Sequence, residues 1–285
     1  MAQNQVGKVY MGSNLVFPAN NVIPFSISAT GGSVVTDGDY KIITFTSDAS
    51  IEIRGEGTIE TLLVGAGGSG GQNAFPPNKG GGGGGGGGVI YGTGLSISAG
   101  NYAITIGQGA AAANGGDSSI GNWAVAKGGG RSSTDGGSGG GGDFDGSAVS
   151  LPGSTLSGTV PAGATEYGNA GGNATTTKGG GGGGATQVGG NAPYAVNYGG
   201  KGGDGFTTTI SGASVTYGGG GGGGVGGSIS GTPNNGGTGG GGQGSSQTYP
   251  GDIGTDGLGG GGGGTFATGA KRGGHGVVII KYKFQ

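Results

Sequence analysis

The stretch Thr61-Leu-Leu-Val-Gly-Ala-Gly-Gly-Ser-Gly70 sets a G-x-G-x-x-G pattern behind an apolar, strand-like run. In a dinucleotide site such glycines open a helix whose N-terminus faces the pyrophosphate, with an acid about 20 residues further on. Here Gln72-Asn-Ala-Phe-Pro-Pro-Asn-Lys79 follows, then nine glycines, and no Asp or Glu occurs before Asp117. Polyglycine does not hold that helix. Gly199-Gly-Lys-Gly-Gly-Asp-Gly-Phe206 fits the calcium nonapeptide of stacked β-helices, but that architecture needs tandem copies and the motif stands once. Asp143 and Asp145 flank Phe144 and offer a carboxylate pair; in a glycine-rich turn they read as solvated turn formers rather than as an acid and a base held at a set distance. His275 is the one histidine and cysteine is absent, so triads, Cys–His pairs and thiolate or imidazole metal sites have no residues to form them. Trp123, beside Ala124-Val-Ala126, reads as core before it reads as a binding platform. The chain is expected to be no enzyme, with no cofactor and no metal.

Composition explains why motifs mislead here. Glycine supplies 89 of 285 residues, against about 7% in ordinary proteins, so chance glycine patterns are frequent. Charged residues are 9% and the net charge is -2, which leaves no basic patch for nucleic acid or an anionic membrane surface. The longest aliphatic run is Val277 to Ile280, and no signal peptide or membrane span is read from the chain.

Elements that could position a site are few. Alternating or β-branched segments at Tyr40 to Thr46, Ser50 to Arg54, Thr58 to Val64, Val89 to Tyr91 and Leu95 to Ile106 predict strands. Gly276 to Phe284 has the same character, and left alone it would be an exposed aggregation edge, so it is expected to pair back with the early strands. The expected fold is mostly β plus irregular chain, with no α-helix of note. Residues 1–28 read as an attachment arm, 29–109 as a strand-rich subdomain that includes a first glycine hairpin at 65–88, 110–275 as a glycine-helix region with variable loops, and 276–285 as the returning strand.

Glycine clusters in the later half begin at Gly179, Gly199, Gly218, Gly236 and Gly259, a spacing near 20 residues. Clusters 179–184, 218–224 and 259–264 are pure glycine, and the alternate ones carry Lys201 and Asp204, or Thr238. Substituted positions such as Ala66 and Ser69, or Lys201 and Asp204, fall three apart. That is one face of an extended helix of three residues per turn. A bundle of packed polyglycine II helices follows as the expectation, pure legs inside, with Lys201, Asp204, Thr238 and Ser69 on exposed faces or layer boundaries. Such helices make no internal hydrogen bonds, so buried legs must bond laterally. Flexible linkers are the rival reading, but linkers have no reason to alternate pure and substituted forms at an interval.

Gly7-Lys-Val-Tyr-Met-Gly-Ser-Asn-Leu-Val16 resembles the start of small tail-associated phage proteins. Gly38 to Thr46, Thr58 to Gly67, Leu95 to Gly107 and the terminal Gly-Val-Val-Ile-Ile-Lys-Tyr resemble the glycine-rich domain of phage tail and fibre proteins. The later half is similar to the distal adhesins of T-even phage fibres, in which polyglycine helices hold out host-recognition loops; this chain departs from them in having strands on both sides of the glycine region. The resemblance implies a virion protein of tail fibre or tail tip, made in the host cytoplasm, oligomeric in the particle and joined to other virion proteins by its N-terminal arm. Its partner would be a bacterial surface receptor, an outer-membrane protein or a glycan. The alternative is a purely structural capsid fibre or decoration protein; an ice-binding bundle would need a flat, regular Thr or Ala face that these loops lack.

The turn Gln72 to Lys79 joins a leg leaving the sheet to one returning, and so is expected far from the sheet. Counting legs back from the terminal strand, with 259–264 running toward the sheet, puts turns 206–217 and 243–258 at the same end. Aromatic anchors favour Phe75, Tyr217 and Tyr249 as contacts, with Asp252 as a polar partner. One leg counted differently moves Ala185 to Tyr198, with Tyr194 and Tyr198, to that end instead.

Overall fold

The structure is a computed structural model that describes residues 9–11, 14–16, 23–72, 79–144, 151–194, 198–226, 234–266 and 269–284. In chain order its strands are β1 (Val9–Met11), β2 (Asn14–Val16), β3 (Ser26–Ala29), β4 (Ser33–Asp37), β5 (Tyr40–Phe45), β6 (Ala49–Arg54), β7 (Gly57–Val64) and β8 (Val89–Ile97). There follow β9 (Gly100–Thr105), β10 (Ser118–Ile120), β11 (Ala124–Ala126), β12 (Thr165–Tyr167), β13 (Phe206–Thr208), β14 (Val215–Tyr217) and β15 (Val277–Lys283). No helix occurs among the described residues.

Two antiparallel sheets carry the side-chain core, one ordered β11-β10-β9-β6-β3 and the other β12-β8-β7-β15-β5-β4. The terminal strand β15 lies inside the larger sheet, paired to β5 on one side and β7 on the other. Its side chains alternate with the pleat. Val278, Ile280 and Tyr282 join Phe45, Ile51, Ile59 and Ile104 in one core, whereas Val277 and Ile279 join Ile42, Leu62, Val64 and Tyr217 in a second. The central strands β7 and β15 and the inner part of β5 are therefore buried on both faces, which is why they carry continuous apolar runs, whereas the edge strand β4 is exposed throughout. The second face is covered by the hairpin β13–β14, where Phe206 stacks on Tyr167 at 4.5 Å and meets Tyr91 at 5.3 Å.

Three details differ from the sequence reading. Ser26–Ala29 pairs with β6 and buries Ile27, so the sheet begins inside the stretch read as an arm. Leu95 to Ile106 is not one strand: β8 continues to Ile97, and β9 starts at Gly100 after a turn. The glycine region also contains short strands, of which β10 and β11 extend the smaller sheet.

The glycine runs 80–88, 179–184, 218–224 and 259–264 are buried along their whole length. Apart from Gly218 and Gly259, none of their residues has a positive φ. Their polar groups bond laterally. Gly80, Gly83 and Gly86 donate to Thr177, Gly180 and Gly183; Gly81, Gly84 and Gly87 donate to Thr265, Gly262 and Gly259; Gly85 and Gly88 donate to Gly130 and Lys127. The carbonyls of Gly82, Gly85 and Gly88 accept from Gly71, Gly68 and Gly65, those of Gly83 and Gly86 from Gly141 and Ser138, and those of Gly81 and Gly84 from Gly224 and Gly221. One leg thus bonds six neighbours, and along each neighbour the bond recurs every third residue. That advance is the repeat of an extended helix with three residues per turn, and it gives eight of the nine buried amides of this leg a backbone acceptor. Lys201 and Thr238 are exposed and Asp204 is half-buried. Ser69 departs from the expectation: it is buried, its amide donating to Ala113 and its carbonyl accepting from Ser132, because the 109–116 and 127–134 segments cover leg 65–71 on that side.

Candidate functional site

The direction of each leg follows from its bonds. Leg 65–71 leaves the sheet from β7, and 80–88, antiparallel to it, returns into β8. Gly262 and Thr265 donate to Gly68 and Gly71, so 259–264 runs parallel to 65–71, away from the sheet. Gly261 and Gly264 donate to Gly219 and Gly222, so 218–224 runs away as well. This reverses the polarity taken for 259–264. The physical reason is the hairpin β13–β14, which folds against the sheet and so fixes turn 206–217 at the near end. Gly218 and Gly259, with φ of 72° and 66°, are the bends from which the two outgoing legs start.

The far end consequently gathers the turns around 191–198, 245–251 and 265–271, together with the flanks of the 72–79 turn. Phe75 lies outside the described residues, as does Asp145. Tyr217 is 4% exposed and packs in the second core, so its ring is not offered to a partner; Tyr194, at 87% exposure, is. Tyr198 is also exposed at this end. Tyr249 sits in a tight turn closed by reciprocal bonds with Ser246, and its hydroxyl donates to the Asp252 carboxylate. That hydrogen bond, with smaller contributions from burial and from the Asp252 charge, pushes the phenol up to about 12. The ring is held at one edge and half-exposed.

Two lysines brace these turns. Lys178 is buried and donates its ammonium to the carbonyls of Pro193 and Tyr194, which holds the turn that displays Tyr194; burial lowers its pKa. Lys79 donates to the Thr176 carbonyl and lies 4.1 Å over the Phe144 ring. The sequence reading passed over both, although each stands directly before a pure glycine run that returns to the sheet.

The other motif residues have structural partners. Gly65 to Gly70 is an extended leg and opens no helix. Asp204 pairs with Lys201 and accepts from the Thr238 amide and hydroxyl. Asp143 accepts from the Ser132 hydroxyl and the Phe144 amide. Nδ1 of His275 accepts from the Gly109 amide at 3.1 Å, and Trp123 packs on the first core.

Fold and far end together define an all-β glycine-rich scaffold that presents turns. A family model described as a glycine-rich domain matches residues 44–283, and the chain belongs to that family. A search of curated proteins found no match.

Proposed function

We propose that this protein is a tail fibre or tail tip component of a phage virion and that its far turns bind a receptor on the bacterial surface. The observation that supports this most is topological. Each leg is tied to the sheet or to sheet-side turns at one end, while the turns at the other end can vary in sequence without disturbing the backbone lattice. Function concentrates on loops held by a rigid scaffold. The polyglycine II bundle supplies the rigidity. Exposed Tyr194 and Tyr198 and the braced Tyr249 supply contact area at small entropic expense, and Phe75 belongs to the same expectation. The N-terminal arm would join other virion proteins.

Binding of the purified full chain to host cells tests the reading. Replacing Tyr194 and Tyr249 together by Ala should weaken binding about tenfold or more with the melting temperature unchanged. A chain that assembles on particles but binds no cells overturns the receptor reading and leaves the structural one, a capsid fibre or decoration protein.

A further inference from the structure

Asn114-Gly115 and Asn235-Gly236 are the two Asn-Gly pairs of the chain, and the fold treats them oppositely. In such a pair the backbone nitrogen that follows the asparagine can reach the side-chain amide carbon, because glycine puts no Cβ in the way, and asparagine is a chemically labile residue. Exposure does not separate the two, since Asn114 and Asn235 are both exposed. Hydrogen bonding does. At Asn114, Nδ2 donates to the Asp135 carbonyl at 3.2 Å, Oδ1 accepts from the Arg131 amide at 2.9 Å and the Thr134 hydroxyl at 2.7 Å, and the Gly115 amide donates to the Gly129 carbonyl at 2.9 Å. Among the described residues neither the Asn235 side chain nor the Gly236 amide has a hydrogen-bond partner. Asn234 beside it is held at both ends, Nδ2 by the Gly199 carbonyl and Oδ1 by the Asn235 amide.

We propose that Asn235 is a site of spontaneous deamidation in the folded protein and that Asn114 is protected from it. The Gly236 nitrogen, having given its proton to hydroxide, attacks Cγ of Asn235; the Cγ–Nδ2 bond breaks, ammonia leaves with a proton taken from water, and a succinimide ring closes. Water then opens the ring at one carbonyl or the other, giving Asp or the isoaspartyl form, whose main chain runs through Cγ. Closing the ring turns the Asn235–Gly236 peptide about the Cα–C bond, and one hydrogen bond ties that peptide down, from the Gly202 amide to the Asn235 carbonyl at 3.1 Å. At Asn114 four bonds tie the corresponding groups. The site lies at the far end. Gly202 and Gly205 donate to Asn235 and Thr238, so this segment runs with leg 199–205 toward the sheet, and Asn235 stands at its start. Deamidation therefore adds one negative charge beside the far turns, and the isoaspartyl form inserts one backbone atom ahead of Gly237, whose amide donates to Gly220.

The full chain is kept at mildly alkaline pH, folded and in parallel unfolded in urea, and peptide mass mapping follows both sites, with the Asp and isoaspartyl products separated by chromatography. In the folded chain Asn235 should convert about tenfold or more faster than Asn114. In urea the two should convert at similar rates, because the residue pair is the same and the protecting bonds are gone. Thr134→Ala removes one of the bonds to Oδ1 of Asn114 and should speed that site about fivefold in the folded chain while leaving Asn235 unaltered. No conversion of Asn235 in the folded chain, equal rates at the two sites there, a rate difference that persists in urea, or an Asn114 rate unmoved by Thr134→Ala overturns the proposal.

Discussion

The amide nitrogen of Gly221 lies 2.8 Å from the carbonyl oxygen of Gly84, two backbones bonded across a gap that no side chain enters. On another side of the same residue, a Cβ would stand 2.1 Å from the carbonyl oxygen of Gly262, inside van der Waals contact with a group that is itself fixed.

Gly221→Val should therefore yield no soluble folded protein. Gly269→Ala is the control, because a Cβ there meets nothing within 4 Å. Soluble yield and a circular-dichroism melt of both variants check this; a Gly221→Val chain that melts like wild type would remove the packed-leg account.

Ile280 is fully buried in β15, between β5 and β7. Truncation to Ala should destabilise the protein by about 2–5 kcal/mol, measured by urea unfolding. Ending the chain before Val277 should prevent folding, since β5 and β7 then lose the neighbour they share.

Asp256 is held at about 2, chiefly by the paired bonds from Arg272 and further by the His275 amide. Its carboxylate favours folding above the ordinary value of 3.8, and that contribution is lost as pH falls through about 2. Because Asp256 is 49% exposed, solvent screening limits the effect to about 1 kcal/mol or less. The stability difference between wild type and Arg272→Ala should shrink over this acid range in paired melts, and a difference independent of pH would count against it.

Tyr249 should ionise near 12 and fall back toward 10.0 in Asp252→Asn, because the carboxylate both holds the phenolic proton and repels the phenolate. Ultraviolet absorbance titration reads this directly. An unshifted step in the variant would place the cause elsewhere.

The return of the last strand was legible because Val277 to Ile280 is apolar on both faces, and a strand of that kind left unpaired would be an exposed aggregation edge. Pure and substituted legs were legible for a similar reason: Lys201 cannot occupy a position where Gly221 sits. Leg direction was not. It depends on where the hairpin Phe206 to Tyr217 folds, and the alternation Phe206-Thr207-Thr208 against Val215-Thr216-Tyr217 signals a strand pair without saying which sheet face it covers. Tyr217 was misplaced for that reason, while Tyr194 and Tyr198 entered only through the reversed count.

The threefold recurrence of lateral bonds has a consequence for how such a chain can change. Inserting or deleting one residue within a leg turns every following amide by a third of a revolution, so that each donor faces the wrong neighbour; a change of three restores the match. Turns carry no such rule and can grow by any number. Length variation tolerated by this architecture should therefore be unrestricted between legs and counted in triplets within them, a reading frame written in the folded backbone rather than in the gene.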